Sequence, residues 1–446
     1  MKDILLVLPE IVLLSLAALI LIADLFVNRN QKWFTYACGI AALLWTALYV
    51  WVPSVASAPV GSLARETAFS GLFVADGVST VLKLAMLLSA AIALAYSWTY
   101  LKKHNLDNGE FVALVLFGTL GMMVIASAAS MLTAYLGLEL LSLSMYALVA
   151  LKRDDKIATE AAMKYFVLGA LASGLLLFGM SIVYGATGTI SLGGISAALG
   201  KANTTAVALG LIFIAAGVAF KLGVVPFHMW VPDVYTGAPT AVTLILATAP
   251  KIAAFALAYR LFGTALTPAY EDWSIILAVI ATLSIVLGNL IAVAQTNIKR
   301  MLAYSAIANM GFLLLGFVGG GKEGYSAALF YAVAYAITGL VSFGILVLLS
   351  GRRRDRKHQR PEGLERALAL VCISDAARHV LACRHSADRR LLGQIVGHRI
   401  YRWRGLHVDR RDRCARLTGR CVLLFARCSS DVFFGAGRGR DQSAQP

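Results

Sequence analysis

The sequence predicts an all-α polytopic membrane protein, on three observations. Of its 446 residues, 59% are hydrophobic and only 14% are charged; soluble domains carry about 25% charged residues. The mean hydropathy is +0.75. Before residue 351 the apolar residues fall into eleven runs, each of about 20 residues, enough to cross a hydrocarbon core of about 30 Å at about 1.5 Å per residue. These runs are continuous rather than alternating, and lipid admits only helices or closed barrels, so helices satisfy the backbone.

The expected spans run at about 4–27, 33–53, 72–98, 111–129, 131–151, 160–184, 205–225, 239–262, 274–294, 298–318 and 325–349. The first follows Met1-Lys2-Asp3, is too long for a signal-peptide core and has no small-residue cleavage motif, so it is read as a retained helix. Alternate connections carry Arg29 and Lys32, then Lys102 and Lys103, then Lys152, Arg153 and Lys156, then Lys299 and Arg300; the other set holds only Arg65, Lys201 and Lys322. The basic set faces the cytoplasm by the positive-inside rule, which puts the N-terminus on the outer, periplasmic side of a bacterial inner membrane. Small residues such as Gly169, Ala170, Ala172, Ser173 and Gly174 inside the spans allow close helix approach.

One stretch breaks the pattern. Phe220 to Pro239 contains three prolines (Pro226, Pro232, Pro239) and two glycines. Proline removes a backbone donor and clashes with the preceding turn, so the helix ends, kinks or unwinds there. Pro250 precedes Lys251 inside the next span. Interrupted helices at membrane depth line protein or water and often mark ion sites.

Four ionisable residues stand inside the apolar runs: Glu139, Lys164, Lys221 and Lys251. Each costs about 2.5–3.5 kcal/mol at the bilayer centre on insertion scales, and both signs are present, which points to mutual pairing and proton exchange. Glu139 is either a carboxylate that changes protonation state or a structural acid bonded to a neighbouring hydroxyl. Lys221 and Lys251 are either proton-carrying amines tuned by burial and a nearby carboxylate or lysines that snorkel. For Lys164 the competing reading is a local i,i+4 pair with Glu160. His228 either shuttles protons or bonds a carbonyl freed by the break. Lys83 and Asp76, towards the outer end of the third span, read as a local pair or snorkelling groups. No phosphate-binding loop, dinucleotide fingerprint, HExxH or Cys-x-x-Cys motif occurs in the spans, so no cofactor or metal is expected on this chain. Cys38 alone lies in the apolar part, and no disulfide framework is expected.

The motifs Leu8-Pro9-Glu10, Gly137–Ala150 around Glu139, Val225-Pro226-Phe227-His228-Met229-Trp230-Val231-Pro232-Asp233-Val234-Tyr235, Ala238-Pro239-Thr240, Ala249-Pro250-Lys251-Ile252-Ala253 and Gln295 to Ser305 resemble subunit N of bacterial NADH–quinone oxidoreductase, the proton-pumping respiratory complex I. The resemblance covers about residues 4–350. It implies fourteen helices with two inverted antiporter-like repeats, each holding one interrupted helix. Glu139 matches the family's key glutamate, Lys221 the lysine of the interrupted helix, Lys251 the lysine of the next helix, and Lys164 a further intramembrane lysine. The implied function is proton translocation driven by quinone reduction elsewhere in the complex. NADH, FMN, iron–sulfur clusters and quinone would belong to other subunits, and the partners would be the other membrane subunits, lipid and protons, with no nucleic acid. The alternative is a component of a multisubunit Na⁺/H⁺ antiporter, which shares the motif after Lys221.

Composition changes after Ser350. Residues 352–446 hold 21 Arg and one Lys, against 5 Arg and 13 Lys before them. Five cysteines join them, and long apolar runs vanish. The chain therefore divides into a membrane bundle, 1–351, and an Arg-rich tail outside the family pattern, 352–446, which reads as the product of a changed frame in a GC-rich gene. The competing reading is a basic tail that binds acidic lipid or nucleic acid. About eleven of fourteen helices are expected to be present, with the second repeat incomplete.

Overall fold

A computed structural model describes residues 2–28, 31–57, 65–106 and 109–352; the Arg-rich segment from residue 353 onward, expected to be the product of a changed frame, lies outside them. The helices are α1 (Lys2–Leu6), α2 (Leu8–Asp24), α3 (Lys32–Ser57), α4 (Gly77–Lys103), α5 (Gly109–Ala126), α6 (Met131–Val149), α7 (Lys156–Thr187), α8 (Leu192–Ala198), α9 (Thr204–Leu222), α10 (Trp230–Gly237), α11 (Thr240–Leu246), α12 (Ala249–Arg260), α13 (Tyr270–Val293), α14 (Ile298–Gly319) and α15 (Gly321–Arg352). Ten helical stretches among the described residues are long and apolar enough to cross a membrane. The first of the eleven expected spans is divided at Val7, and its longer part, α2, has 17 residues.

Local chemistry sets the ends. Asp76 caps α4 through the Ser79 amide, while the Ser79 hydroxyl accepts from the Asp76 amide. Ser130, Asp155, Asn203 and Asn297 accept from the first-turn amides of α6, α7, α9 and α14, which satisfies donors that no helix can satisfy internally. Helices α5 and α6 cross at Gly121 and Gly137. A Cβ on Gly121 would stand 2.6 Å from the Leu141 nitrogen and 2.7 Å from the Gly137 oxygen, so backbone meets backbone there.

The broken helix α11–α12 is the hub. It is almost wholly buried, whereas α7 and α13 leave most of their apolar residues exposed, so α7 and α13 form the rim and α11–α12 the axis. It packs on α4, α5, α9 and α15. The sequence reading did not anticipate a short antiparallel hairpin, β1 (Glu66–Ala68) and β2 (Phe73–Ala75), which meets the α5–α6 turn at Ala128.

Asp76 and Lys83 do not form a local pair. Lys83 reaches Glu10 on α2 at 2.6 Å, each side chain 5% exposed. Asp76 takes a fork from Arg260 at the far end of α12, with Nη1 to Oδ2 at 2.8 Å and Nη2 to Oδ1 at 2.9 Å. Arg260 also donates Nε and Nη2 to the Ala126 carbonyl at 2.9 and 2.7 Å. Both partners, Glu10 and Arg260, belong to other parts of the chain, so sequence neighbours gave no hint of them.

Burial alone would push the Asp76 carboxyl up, but the Arg260 hydrogen bonds and charge, with the Ser79 amide and hydroxyl, outweigh it and hold the carboxyl below the usual carboxylate range. A depressed folded pKa adds stability that is complete above the unfolded value, about 3.9, and is lost only as pH falls through the lowered one. Asp76→Asn leaves Arg260 buried and unpaired and is expected to cost about 3–5 kcal/mol. The loss of thermal midpoint in detergent should be the same at pH 5.5 and pH 8. A deficit that shrinks between those values would show that Asp76 is not ionised throughout.

Candidate functional site

The prolines and Gly223 end α9 inside the bundle, as the sequence implied. Gly223 adopts φ +74, a left-handed turn that a residue without Cβ makes at no steric cost. The turn leaves the last carbonyls of α9 without helical partners. The Trp230 indole donates to the Phe220 carbonyl at 3.0 Å, and the Lys251 ammonium donates to the Leu222 carbonyl at 2.8 Å. The connecting turns of residues 223–229 are fastened to α13 where the Val225 amide donates to Ser284 at 2.9 Å. A second interruption follows at Ala247 and Thr248, where Thr248 has φ −117 and ψ −91, and Pro250 begins α12 with no amide to give. Lys251 sits in that first turn.

Two of the expected lysines share one cavity. Lys221 and Lys251 line it with Ser142, Tyr165, Trp230, Pro250 and apolar residues of α5 and α6. It leaves about 20 Å³ for water centres, and a single water needs about 10–15 Å³. Lys221 donates to the Ser142 hydroxyl at 2.6 Å, and Ser142 passes its own hydrogen to the Leu138 carbonyl at 2.5 Å. Lys251 is 2% exposed and lies over the Trp230 ring at 5.2 Å; Lys221 lies 5.8 Å from the Tyr146 ring centre.

Glu139 is half-buried beside this cavity, one turn of α6 before Ser142. It accepts a hydrogen bond from Ser173 of α7, the neighbouring hydroxyl that one reading of the sequence allowed. Among the described residues no ion pair joins Glu139 to Lys221; the serine intercepts the lysine. The other two expected residues lie away from the cavity. Lys164 pairs with Glu160 at 2.8 Å and with Asp233 of α10 at 2.9 Å, with its side chain 44% exposed. The local pair is therefore present, joined by a distant carboxylate. His228 lies in these connecting turns, its Nδ1 buried without a hydrogen-bond partner and its ring 6.5 Å from that of Tyr304.

The sequence reading missed Ser142, Ser173 and Trp230. Ser142 was within reach of it, because i and i+3 share a helix face and Glu139 had already been singled out. Trp230 was not, since its indole is placed by the turn that the break creates.

Comparisons with known proteins agree with this architecture. Residues 128–374 match the family described as NADH:quinone oxidoreductase/Mrp antiporter, TM. NADH-quinone oxidoreductase subunit N of Thiobacillus denitrificans is 51% identical over 345 residues, 77% of this chain and 70% of that one. Among solved structures, a chain of respiratory complex I from Thermus thermophilus is 32% identical with a TM-score of 0.62, covering 77% of this chain and 70% of that chain. A chain of the Mrp complex from Dietzia sp. DQ12-45-1b gives a TM-score of 0.68 at 23% identity, covering 79% and 65%; that likeness speaks to the fold alone. Ten membrane-length helices among the described residues and these relatives make this a multi-pass protein of the inner membrane. The chain belongs to the subunit N family of NADH-quinone oxidoreductases.

Proposed function

We propose that Lys221, Ser142 and Lys251, with Glu139 at their edge, hold and pass protons in this membrane subunit of a proton-translocating NADH–quinone oxidoreductase. The observation that carries the reading is the shared cavity: two lysines from two interrupted helices line a space that fits one water. Ser142, Lys221 and Lys251 are its polar walls. A water there could accept a proton from one amine and give one to the other. Ser142 is a relay on the Glu139 side, since a hydroxyl both accepts and donates.

Glu139 sets when Lys221 keeps its proton. Contact between the two would favour the ammonium by opposite charge; here Lys221 donates to Ser142 instead, which loosens that hold. A conformational change that closes and opens this contact makes a two-position switch. Quinone reduction on other subunits would drive it, and NADH, FMN and the iron–sulfur clusters would belong to those subunits. The N-terminus lies on the periplasmic side in this reading, with Lys102, Lys152 and Lys299 at the cytoplasmic ends. Lys164 and His228 belong to the cytoplasmic approach rather than to the cavity.

Glu139→Ala and Lys221→Ala are the tests. Each is expected to lower NADH-driven acidification of inside-out vesicles more than tenfold, at equal amounts of assembled complex. Unchanged pumping in an assembled complex would sink the assignment. Sodium-driven acidification without NADH would favour the antiporter alternative instead.

A further inference from the structure

We infer that Arg260 is a positioning residue for Lys251: its fork onto Asp76 and the Ala126 carbonyl fixes the height and rotation of α12, and so where the Lys251 amine stands. This rests on the role proposed for Lys251 and extends it to a residue at the opposite end of the helix.

The geometry supports the link. Helix α12 has 12 residues, Ala249–Arg260, and is about 18 Å long. It is not held by continuity at its start, because the backbone leaves helical geometry at Thr248 and Pro250 supplies no amide to the turn before it. Its end departs too, since Leu261–Ala265 is a π-helical turn. The rod is therefore a separate segment whose placement depends on side-chain contacts. Three of its polar side chains reach other helices: Tyr259 by a ring contact with Tyr325 of α15, and Lys251 and Arg260 by hydrogen bonds. Lys251 makes one bond, to Leu222. Arg260 makes four bonds of 2.7–2.9 Å to α5 and to the cap of α4. A planar bidentate fork fixes direction as well as distance, which a lysine at the same place would not do.

Nine residues separate Lys251 from Arg260, and at 3.6 per turn they stand on opposite faces. Arg260 faces α4 and α5 while Lys251 faces α9. Turning the rod to relieve one end therefore swings the other. The frame on which Arg260 rests is itself fixed: Asp76 caps α4, and Lys83, two turns further along α4, is tied to Glu10 of α2. A shift of about 1 Å at the amine is enough to spoil transfer through one water.

The experiment uses inside-out vesicles from cells that make the full chain with the other subunits of its complex. Arg260→Met, Arg260→Lys and Asp76→Glu are compared with the parent for assembled complex on native gels and for protons pumped per NADH oxidised. Asp76→Glu keeps the charge pair and moves it by one methylene. The expected result is normal assembly with the ratio lowered at least threefold in all three. In a Lys251→Met background, adding Arg260→Met should lower it no further. A parent-like ratio in the assembled variants, or an additional loss in the double variant, overturns the inference. Failure of all three to assemble also overturns it, since Arg260 would then be a folding anchor. Normal pumping by Lys251→Met alone would bring down the reading of Lys251 itself, and this inference with it.

Discussion

Replacing Lys251 by methionine is expected to make the protein more heat-resistant and to stop it pumping. Lys251 is 2% exposed, and the single hydrogen bond found for its ammonium goes to the Leu222 carbonyl. An ammonium has three donors, and burying a polar group without full satisfaction costs free energy. No carboxylate forms an ion pair with it among the described residues. Methionine has nearly the same length and brings no donors to satisfy, which outweighs leaving the Leu222 carbonyl without this partner. The exchange is expected to stabilise by about 1 kcal/mol or more, as swaps of buried charged groups for apolar ones often do. The same change removes one of the two amines lining the cavity, so proton pumping in inside-out vesicles should fall more than tenfold. Thermal scans of the solubilised complex and acidification assays are both needed. A lowered midpoint would contradict the first half, and retained pumping the second.

Gly137→Val is expected to prevent a stable fold. A Cβ there would lie 2.9 Å from both the Gly121 oxygen and the Ile125 nitrogen, and those are backbone atoms of α5 that no rotamer change can move aside. The helices would have to part, and overpacking of this kind costs about 3 kcal/mol or more. Parting them also displaces α6, which carries Glu139 and Ser142 on its next turn and a half. The measurement is the amount of the subunit retained in membranes and incorporated in the complex, compared with Gly174→Val, whose Cβ meets nothing within 4 Å. Equal incorporation of the two variants would show that α5 and α6 have room to separate.

The spans were legible because the bilayer imposes length and apolarity together, and few soluble constraints imitate that. The break after Lys221 was legible from Pro226, Pro232 and Gly223, whose backbone limits act locally. What the chain did not disclose was which charges meet. Arg260 reaches Asp76 across 184 positions and Lys83 reaches Glu10 from another helix; such pairs are set by the order of helices around the hub, which no local pattern encodes. Glu139 and Lys221 were expected as partners because they carry opposite charge at membrane depth. In the structure Lys221 donates to Ser142 instead, a contact between α6 and α9 that no local pattern encodes. For Lys164 the local partner Glu160 was foreseen, while Asp233 came from beyond the break.

The ending of α9 inside the bundle also has an electrostatic meaning. Aligned peptide units leave about half a negative charge at a helix C-terminus, and α9 stops at Leu222, with Lys221 in its last turn and the Lys251 amine on its terminal carbonyl. Part of the counter-charge for both lysines is thus built into the main chain. Unlike a carboxylate, it cannot be protonated away or swung aside by a rotamer change. It offers the two amines a constant background attraction, to which, in the proposed scheme, Glu139 need add only a modest bias.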